Sequence, residues 1–380
     1  MKKIMIMNNT LSGGGAEKIL QTLLYNLDYK KYDVTLYSMH KEEIKSNFPK
    51  EIHYKIVFGY EGDNKFVNRC MAYIKGVIFN KCSSRVFYKL FFHEKYDVEI
   101  AFIEGESTKI IAGSTNKKSK KYAWVHIDLC NNPWTSFLYK NTQEEREYYN
   151  CFDKVFCVSN SVREAFISKF KIPENKVFVQ YNPINKEEII KKAKEKCDIQ
   201  DKVKLRLVSV GRLVEQKGYD RLLNIALKLK NQGLDFELII LGEGEERKNY
   251  EKFINENNLM DMVCLMGFKE NPYPYMAQSD IFVCSSRSEG FSTVVSEAVV
   301  LGLPVISTDC AGIKELFGNE ECGIIVENNE EALYEAIYIA LSNPKSLEKY
   351  REGSLRRGKN FSLQETMKEI EMLLDERDEE

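Results

Sequence analysis

The 380-residue sequence predicts an α/β protein built from two doubly wound parallel-sheet domains. Three observations carry this. Short apolar runs alternate with helical patterns along the chain, the alternation starts afresh near residue 205, and the length exceeds what one hydrophobic core ordinarily covers. The expected boundaries are 1–185 for the first domain and 200–361 for the second, with a terminal helix over 362–380 placed to pack back on the first.

Taken in order, residues 3–7 (KIMIM) read as the opening strand, and 17–27 as a helix whose apolar face is Ile19, Leu20, Leu23, Leu24 and Leu27. Strands are expected over 34–37, 98–103, 122–125 and 155–158. Alternation of this kind implies a parallel sheet covered by helices, a Rossmann-like arrangement. Tyr181-Asn182-Pro183 closes the first series, because the residue before a proline is pushed away from helix. A charged helix over 186–197 follows. The second series has strands over 205–210, 236–241, 263–266, 281–284, 304–307 and 324–326, and residues 345–380 read as charged helices.

Composition excludes several classes. No window reaches the roughly 18 consecutive apolar residues of a membrane span. The opening apolar run breaks at Asn8 and Asn9, so secretion is not expected. Ten cysteines are scattered without a CxxC pair or a cluster with the four histidines, which argues against disulfides and a metal site and for a reducing, cytoplasmic setting. The net charge of −2 hides an asymmetry. Residues 1–200 hold 33 basic against 24 acidic side chains (net +9), the remainder 22 against 33 (net −11). The first half is expected to face something anionic, such as a membrane or a phosphorylated acceptor, and no nucleic-acid partner is expected.

In parallel sheets the ligand crevice lies at the carboxyl ends of the strands, so residues just after each strand are the candidates. Gly14 and Gly15, in Ser12-Gly13-Gly14-Gly15-Ala16-Glu17, would let backbone approach a diphosphate at a helix N-terminus; a plain tight turn suits them equally. Gly211-Arg212-Leu213-Val214-Glu215-Gln216-Lys217 offers a planar bidentate donor and a compact point charge for a departing diphosphate. Glu289-Gly290-Phe291-Ser292 and Glu297 straddle a helix start that Ser292 or Thr293 would cap, presenting free N–H groups to phosphate and two carboxylates to hydroxyls. Glu297 also fits as a surface glutamate. His126, with Asp128 two residues on, ends a strand and is either structural or catalytic. Phe268, after Leu265-Met266-Gly267, would frame a base or pack in the core. No isolated DxD offers divalent-metal ligands.

These motifs resemble the retaining glycosyltransferases of family 4. The likeness is strongest where GRLVEQKG, LGEGEER, SEGFSTVVSEAVVLGLPVIST and GIKEL follow in family order, and it recurs in GGGAEK and WVHID. The resemblance implies the GT-B fold, two Rossmann-like domains facing across a cleft. It implies that Arg212 and Lys217 hold the donor pyrophosphate, that Glu289 contacts the transferred sugar and Glu297 the ribose, and that His126 lies beside the reacting centre. Gly14 and Gly15 would then admit acceptor and phosphates. Transfer proceeds with retention in this family, the leaving phosphate oxygen helping to deprotonate the acceptor, without metal or cofactor beyond the donor. Ser292 stands where many relatives have proline or glycine, and Cys310-Ala311-Gly312 replaces a more usual Gly-Gly pair, so the sugar pocket departs from the family pattern.

Residues 64–93 carry Lys65, Arg69, Lys75, Lys81, Arg85 and Lys89 and no acidic residue before His93, interleaved with apolar side chains such as Phe66, Tyr73, Ile74, Phe79 and Phe87. That composition suits an anionic membrane surface, or an apolar face packed on the domain. The function expected is transfer of a hexose or N-acetylhexosamine from a UDP-sugar to a glycan or lipid-linked oligosaccharide in capsular or exopolysaccharide synthesis, cytoplasmic and peripheral to the membrane. A nucleotide-sugar epimerase on the same scaffold is the alternative. A dehydrogenase fits less well, since Lys18 stands where a GxGxxG loop needs its third glycine.

Overall fold

A computed structural model describes residues 1–11, 14–40, 48–59, 65–200 and 203–376. The chain divides into two compact units, Met1–Pro183 with Gln364–Glu380, and Ile184–Leu363.

The first unit carries strands β1 (Lys2–Asn8), β2 (Tyr32–Ser38), β3 (His53–Ile56), β4 (Val98–Ala101), β5 (Lys120–Val125), β6 (Lys154–Cys157) and β7 (Val177–Val179). They form one parallel sheet in the order β3-β2-β1-β4-β5-β6-β7. Its helices are α1 (Gly15–Asn26), α2 (Lys65–Lys81), α3 (Ser84–Phe91), α4 (Glu106–Ala112), α5 (Thr142–Asn150) and α6 (Asn160–Phe170). Strands β1, β4 and β5 are buried on both faces over most of their length, as parallel strands sandwiched by helices must be.

The second unit opens with α7 (Lys186–Lys192), shorter than the expected 186–197. Strands β8 (Leu205–Val210), β9 (Phe236–Leu241), β10 (Val263–Gly267), β11 (Ile281–Cys284), β12 (Val305–Thr308) and β13 (Gly323–Val326) form a parallel sheet ordered β10-β9-β8-β11-β12-β13. Around it lie α8 (Tyr219–Asn231), α9 (Arg247–Glu256), α10 (Tyr273–Ala277), α11 (Thr293–Val300), α12 (Ile313–Phe317), α13 (Glu330–Ser342) and α14 (Leu347–Lys359). The core, with Leu222, Ile225, Leu238, Ile240, Ile281 and Ile337, sits between this sheet and α8, α9 and α13.

The last helix, α15 (Leu363–Asp375), returns to the first unit. Tyr122 and Tyr32 donate from the sheet to the carbonyls of Leu373 (3.2 Å) and Glu371 (3.4 Å), while Met367, Ile370 and Leu374 are buried.

Two strands escaped the sequence reading. β3 and β7 are four and three residues long and lie at the sheet edges. β3 (HYKI) mixes polar with apolar residues, β7 has only three, and both are partly exposed, so neither carries the continuous apolar signal of an equally short but fully buried strand such as β11. The strand expected over 98–103 ends at Ala101, and Phe102 to Glu104 turn away at the carboxyl end of the sheet.

Candidate active site

Each sheet has a topological switch point, between β1 and β4 in the first and between β8 and β11 in the second, where the chain's successive crossovers run to opposite sides. Loops leaving adjacent strands at such a point part and leave room for a ligand.

In the second unit the two loops are stapled together. After β8 the chain makes a 3-10 turn, Glu215–Lys217, ended by Gly218 in the left-handed region (φ +65°). A Cβ there would lie 2.2 Å from the Ser285 carbonyl oxygen, so only glycine lets the turn press this close to the loop after β11. Ser285 Oγ donates to the Lys217 carbonyl (2.8 Å), Gln216 Nε2 to the Ser288 carbonyl (2.9 Å), and the Arg287 N–H to the Gln216 carbonyl (2.7 Å). The Arg287 guanidinium also grips Asp220 through both nitrogens (2.8 and 2.6 Å) and reaches the Glu215 carbonyl (2.6 Å).

The staple brings Lys217 and Glu289 together. Lys217 Nζ donates to Glu289 Oε1 at 2.7 Å, and Ser286 Oγ donates to the same oxygen at 2.6 Å. The two side chains retain only 17% and 10% of their exposure, so the pair is largely withdrawn from water. Burial pushes the Lys217 ammonium down, but the Glu289 carboxylate more than offsets it, leaving Lys217 above its ordinary value and charged. Arg212 is exposed, and its charge works against that of Lys217, which places two cations in one neighbourhood. Gly211 leads into Arg212 from the end of β8, its N–H bonded to the Leu241 carbonyl (2.9 Å).

Beyond Glu289, Gly290 and Phe291 lead to Ser292 at the N-cap of α11. The expected side-chain cap does not form. Ser292 Oγ is buried and, like Ser288 Oγ, has no hydrogen-bond partner among the described residues. Gly312 (φ +77°) packs on the carbonyl of Gly290, 2.2 Å from where its Cβ would be, and Cys310 Sγ donates to the Ser286 carbonyl (3.2 Å). The departing Cys310-Ala311-Gly312 turn thus braces the loop that carries Glu289. Glu297, one turn into α11, is no surface glutamate: it is buried and accepts from the Tyr273 hydroxyl (3.3 Å). Phe268 follows the end of β10 and is 58% exposed, which rules out core packing and leaves its ring available.

In the first unit Gly14 caps α1 in an extended conformation, and a Cβ there would meet Glu17 Oε2 at 2.3 Å. Glu17 folds over the turn and accepts from Thr10 Oγ1 (2.6 Å). Gly15 is the first helical residue; Ser12 and Gly13 lie outside the described residues. His126 leaves β5 half-buried, its Nε2 2.7 Å from the Phe102 carbonyl. A carbonyl only accepts, so Nε2 carries the hydrogen and Nδ1 is left as an acceptor. Burial pushes the imidazole down to about 4, which keeps it neutral near physiological pH. Asp128 closes a local turn, accepting from the N–H groups of Cys130 (2.8 Å) and Asn131 (3.2 Å).

Sequence reasoning missed Glu104. Its Oε1 accepts from the main-chain N–H of His126 (2.5 Å) and Ile127 (3.1 Å), and Asn9 Nδ2 donates to its carbonyl (2.9 Å). An acidic residue directly after an apolar run was the available signal. The pairing of Arg287 with Asp220 and of Tyr273 with Glu297 left no such signal, because each joins residues from elements far apart in sequence.

Two parallel-sheet Rossmann-like units are the architecture of the GT-B glycosyltransferases. The family model for Glycosyltransferase Family 4 matches residues 13–188 and that for Glycosyl transferases group 1 matches residues 186–357, so that together they span most of the chain. The protein belongs to this family and is a glycosyltransferase. Among curated relatives it is 29% identical over 377 residues, covering 95% of this chain and 96% of the relative, to the N-acetylgalactosamine-N,N'-diacetylbacillosaminyl-diphospho-undecaprenol 4-alpha-N-acetylgalactosaminyltransferase of Campylobacter jejuni. Among solved structures, Anabaena HepE in complex with UDP and glucose superposes with a TM-score of 0.75 at 17% identity, covering 98% of this chain and 99% of that one. Sucrose-phosphate synthase from Thermosynechococcus elongatus gives 0.77 at 16%, covering 98% of each. At such identities these two show the fold.

Proposed function

We propose that the protein transfers a hexose or N-acetylhexosamine from a UDP-sugar, with retention and without bound metal, to a glycan or lipid-linked oligosaccharide during capsular or exopolysaccharide assembly. The observation that carries this reading is the Lys217–Glu289 pair at the β8/β11 switch point. A diphosphate entering there meets Arg212 as an exposed fork, Lys217 as a fixed charge and the N-terminus of α11, while Glu289 and Glu297 supply acceptors for hydroxyls. The relative from Campylobacter bears a name that specifies an N-acetylgalactosaminyl group and a diphospho-undecaprenol, which favours an N-acetylhexosamine and a lipid-linked acceptor here.

Acceptor access would come through the first unit, docked on the cytoplasmic face of an anionic membrane by α2 and α3. Phe79, Phe87, Tyr88 and Phe92 are buried and hold these helices to the domain, whereas Phe66, Tyr73, Ile74, Val86 and Leu90 point outward beside Arg69, Lys81, Arg85 and Lys89. Residue 64, which opens the basic stretch, lies outside the described residues. An exposed apolar stripe at helical spacing, flanked only by cations, suits insertion at the headgroup level of an anionic leaflet. Among the described residues no helix is long and apolar enough to cross a membrane.

The test is UDP release from UDP-glucose, UDP-galactose and their N-acetylated counterparts, with and without an undecaprenyl-diphosphate-linked oligosaccharide. Acceptor-dependent release with at least one donor, lost in R212A and E289Q, is expected. Conversion of the donor to an epimer with no acceptor present would instead select the epimerase.

A further inference from the structure

Glu104 is a buried ionisable group that the donor site leaves without a task. It follows β4 at the switch point of the first sheet and retains 1% exposure. Its carboxylate takes two main-chain N–H groups, of His126 and Ile127, on one oxygen. The main chain on its other side is held in turn, since Asn9 bridges the Glu104 carbonyl and the N–H and hydroxyl of Ser107 (3.2 and 2.5 Å). Among the described residues, the titratable groups around the carboxylate are Glu145 and Tyr149 from α5, Cys157 from β6 and His126 from the end of β5, and none of these is a lysine or an arginine. Burial therefore pushes the carboxyl up to about 7 despite the N–H donors.

A purely structural strap would not be built this way. Glutamine offers the same acceptor oxygen at the same reach, with no charge to bury, whereas an ionised carboxylate here opposes folding. We propose that Glu104 is a positioning residue for glycosyl transfer, its ionised carboxylate setting the main chain of His126 and hence the direction in which the free Nδ1 acceptor of that ring points. The inference rests on the glycosyltransferase reading for its effect on rate, and on geometry alone for its effect on His126. The ionised form accepts both N–H groups as charge-assisted bonds, and proton uptake reduces them to neutral ones, so that the His126 main chain loosens as pH falls through neutrality.

Two readouts test this on the full-length protein. The first follows the ring nitrogens of 15N-labelled histidine, with H126N identifying the His126 signal among the four histidines. Wild type is expected to show an unprotonated Nδ1 whose resonance moves with a midpoint near pH 7, well above the ring's own titration; in E104Q the same resonance should be flat between pH 6 and 8. A flat wild-type signal, or an unchanged midpoint in E104Q, overturns the proposal. The second is the pH profile of acceptor-dependent UDP release. Wild-type turnover should fall on the acid side of about 7, while E104Q should sit near the acid plateau throughout, roughly tenfold below the wild-type maximum, the difference between a charge-assisted and a neutral bond. E104Q should also unfold at a higher temperature than wild type at pH 8 and match it at pH 4, below the ordinary carboxyl value of 4.5. A group whose carboxyl is raised on folding contributes stability at low pH and loses it as pH rises through the raised value. An E104Q profile that keeps the wild-type acid limb overturns the role in transfer. If no UDP-sugar is turned over at all, the glycosyltransferase reading fails, and the histidine spectra still decide the question of Glu104.

Discussion

The switch-point loops of the second unit and the α2–α3 face of the first unit use charge in opposite ways. Lys217 and Glu289 are withdrawn from water, held 2.7 Å apart, and braced by Ser286, Gln216, Arg287 and the Cys310–Gly312 turn. Arg69, Lys81, Arg85 and Lys89 stand in solvent with exposed apolar neighbours. A buried, braced cation acts strongly on one small anion, because the low local dielectric magnifies its field and nothing has to reorganise when the ligand arrives. Exposed, mobile cations are individually weak and screened, so they suit an extended anionic surface whose many weak contacts add up. On the proposed function, this difference would separate chemistry from attachment within one chain.

The largest effect that can break the comparison is K217A. Removing one preorganised charge of this kind typically costs roughly 10²–10³ in turnover. It also leaves Glu289 buried without its counter-ion, at a further cost to stability of roughly 3 kcal/mol. Acceptor-dependent UDP release and urea unfolding measure the two losses, and near-normal turnover would show that the buried pair is not the centre. The next effect is on attachment. R69Q/R85Q should weaken binding to phosphatidylserine vesicles at low salt by roughly 30-fold, two cations at about 1 kcal/mol each, and leave turnover on a soluble acceptor unchanged. Co-sedimentation reads this, with 1 M NaCl expected to abolish the difference; equal binding by both proteins would mean the exposed face does not meet lipid. The smallest effect tests the staple. G218A forces a Cβ toward the Ser285 carbonyl and a non-glycine residue into φ +65°, so it should cost on the order of 1–3 kcal/mol in unfolding free energy. Turnover should fall severalfold as Lys217 shifts from Glu289. Wild-type stability and turnover in G218A would remove the close approach of the two loops as the reason for that glycine.

Much of this arrangement was legible in order along the chain. The strands over 205–210, 236–241 and 281–284 coincide with β8, β9 and β11, because largely buried strands in parallel sheets read as continuous apolar runs. Arg212, Lys217 and Glu289 could be singled out because loops at strand ends are where such folds keep ligands. The edge strands β3 and β7 carried no comparable signal. Nor did the amphipathic stretch 64–93 say which of its apolar residues pack: Phe79 and Phe87 go inward and Phe66 and Tyr73 outward, a choice made by how α2 packs on α3 and α3 on α4.

Local sequence by itself determined the two-fold repetition of β/α units, the glycine that permits the Lys217 turn, and the supply of cations and carboxylates after the strands, since periodicity, backbone freedom and charge are properties of neighbouring residues. Tertiary structure alone decided that Lys217 meets Glu289 across 72 positions, that Glu104 reaches the main chain of His126, and that Glu297 is buried against Tyr273. Those partnerships depend on which strands lie side by side and how deep each loop sits, and the energy of a buried charge is set by that surrounding.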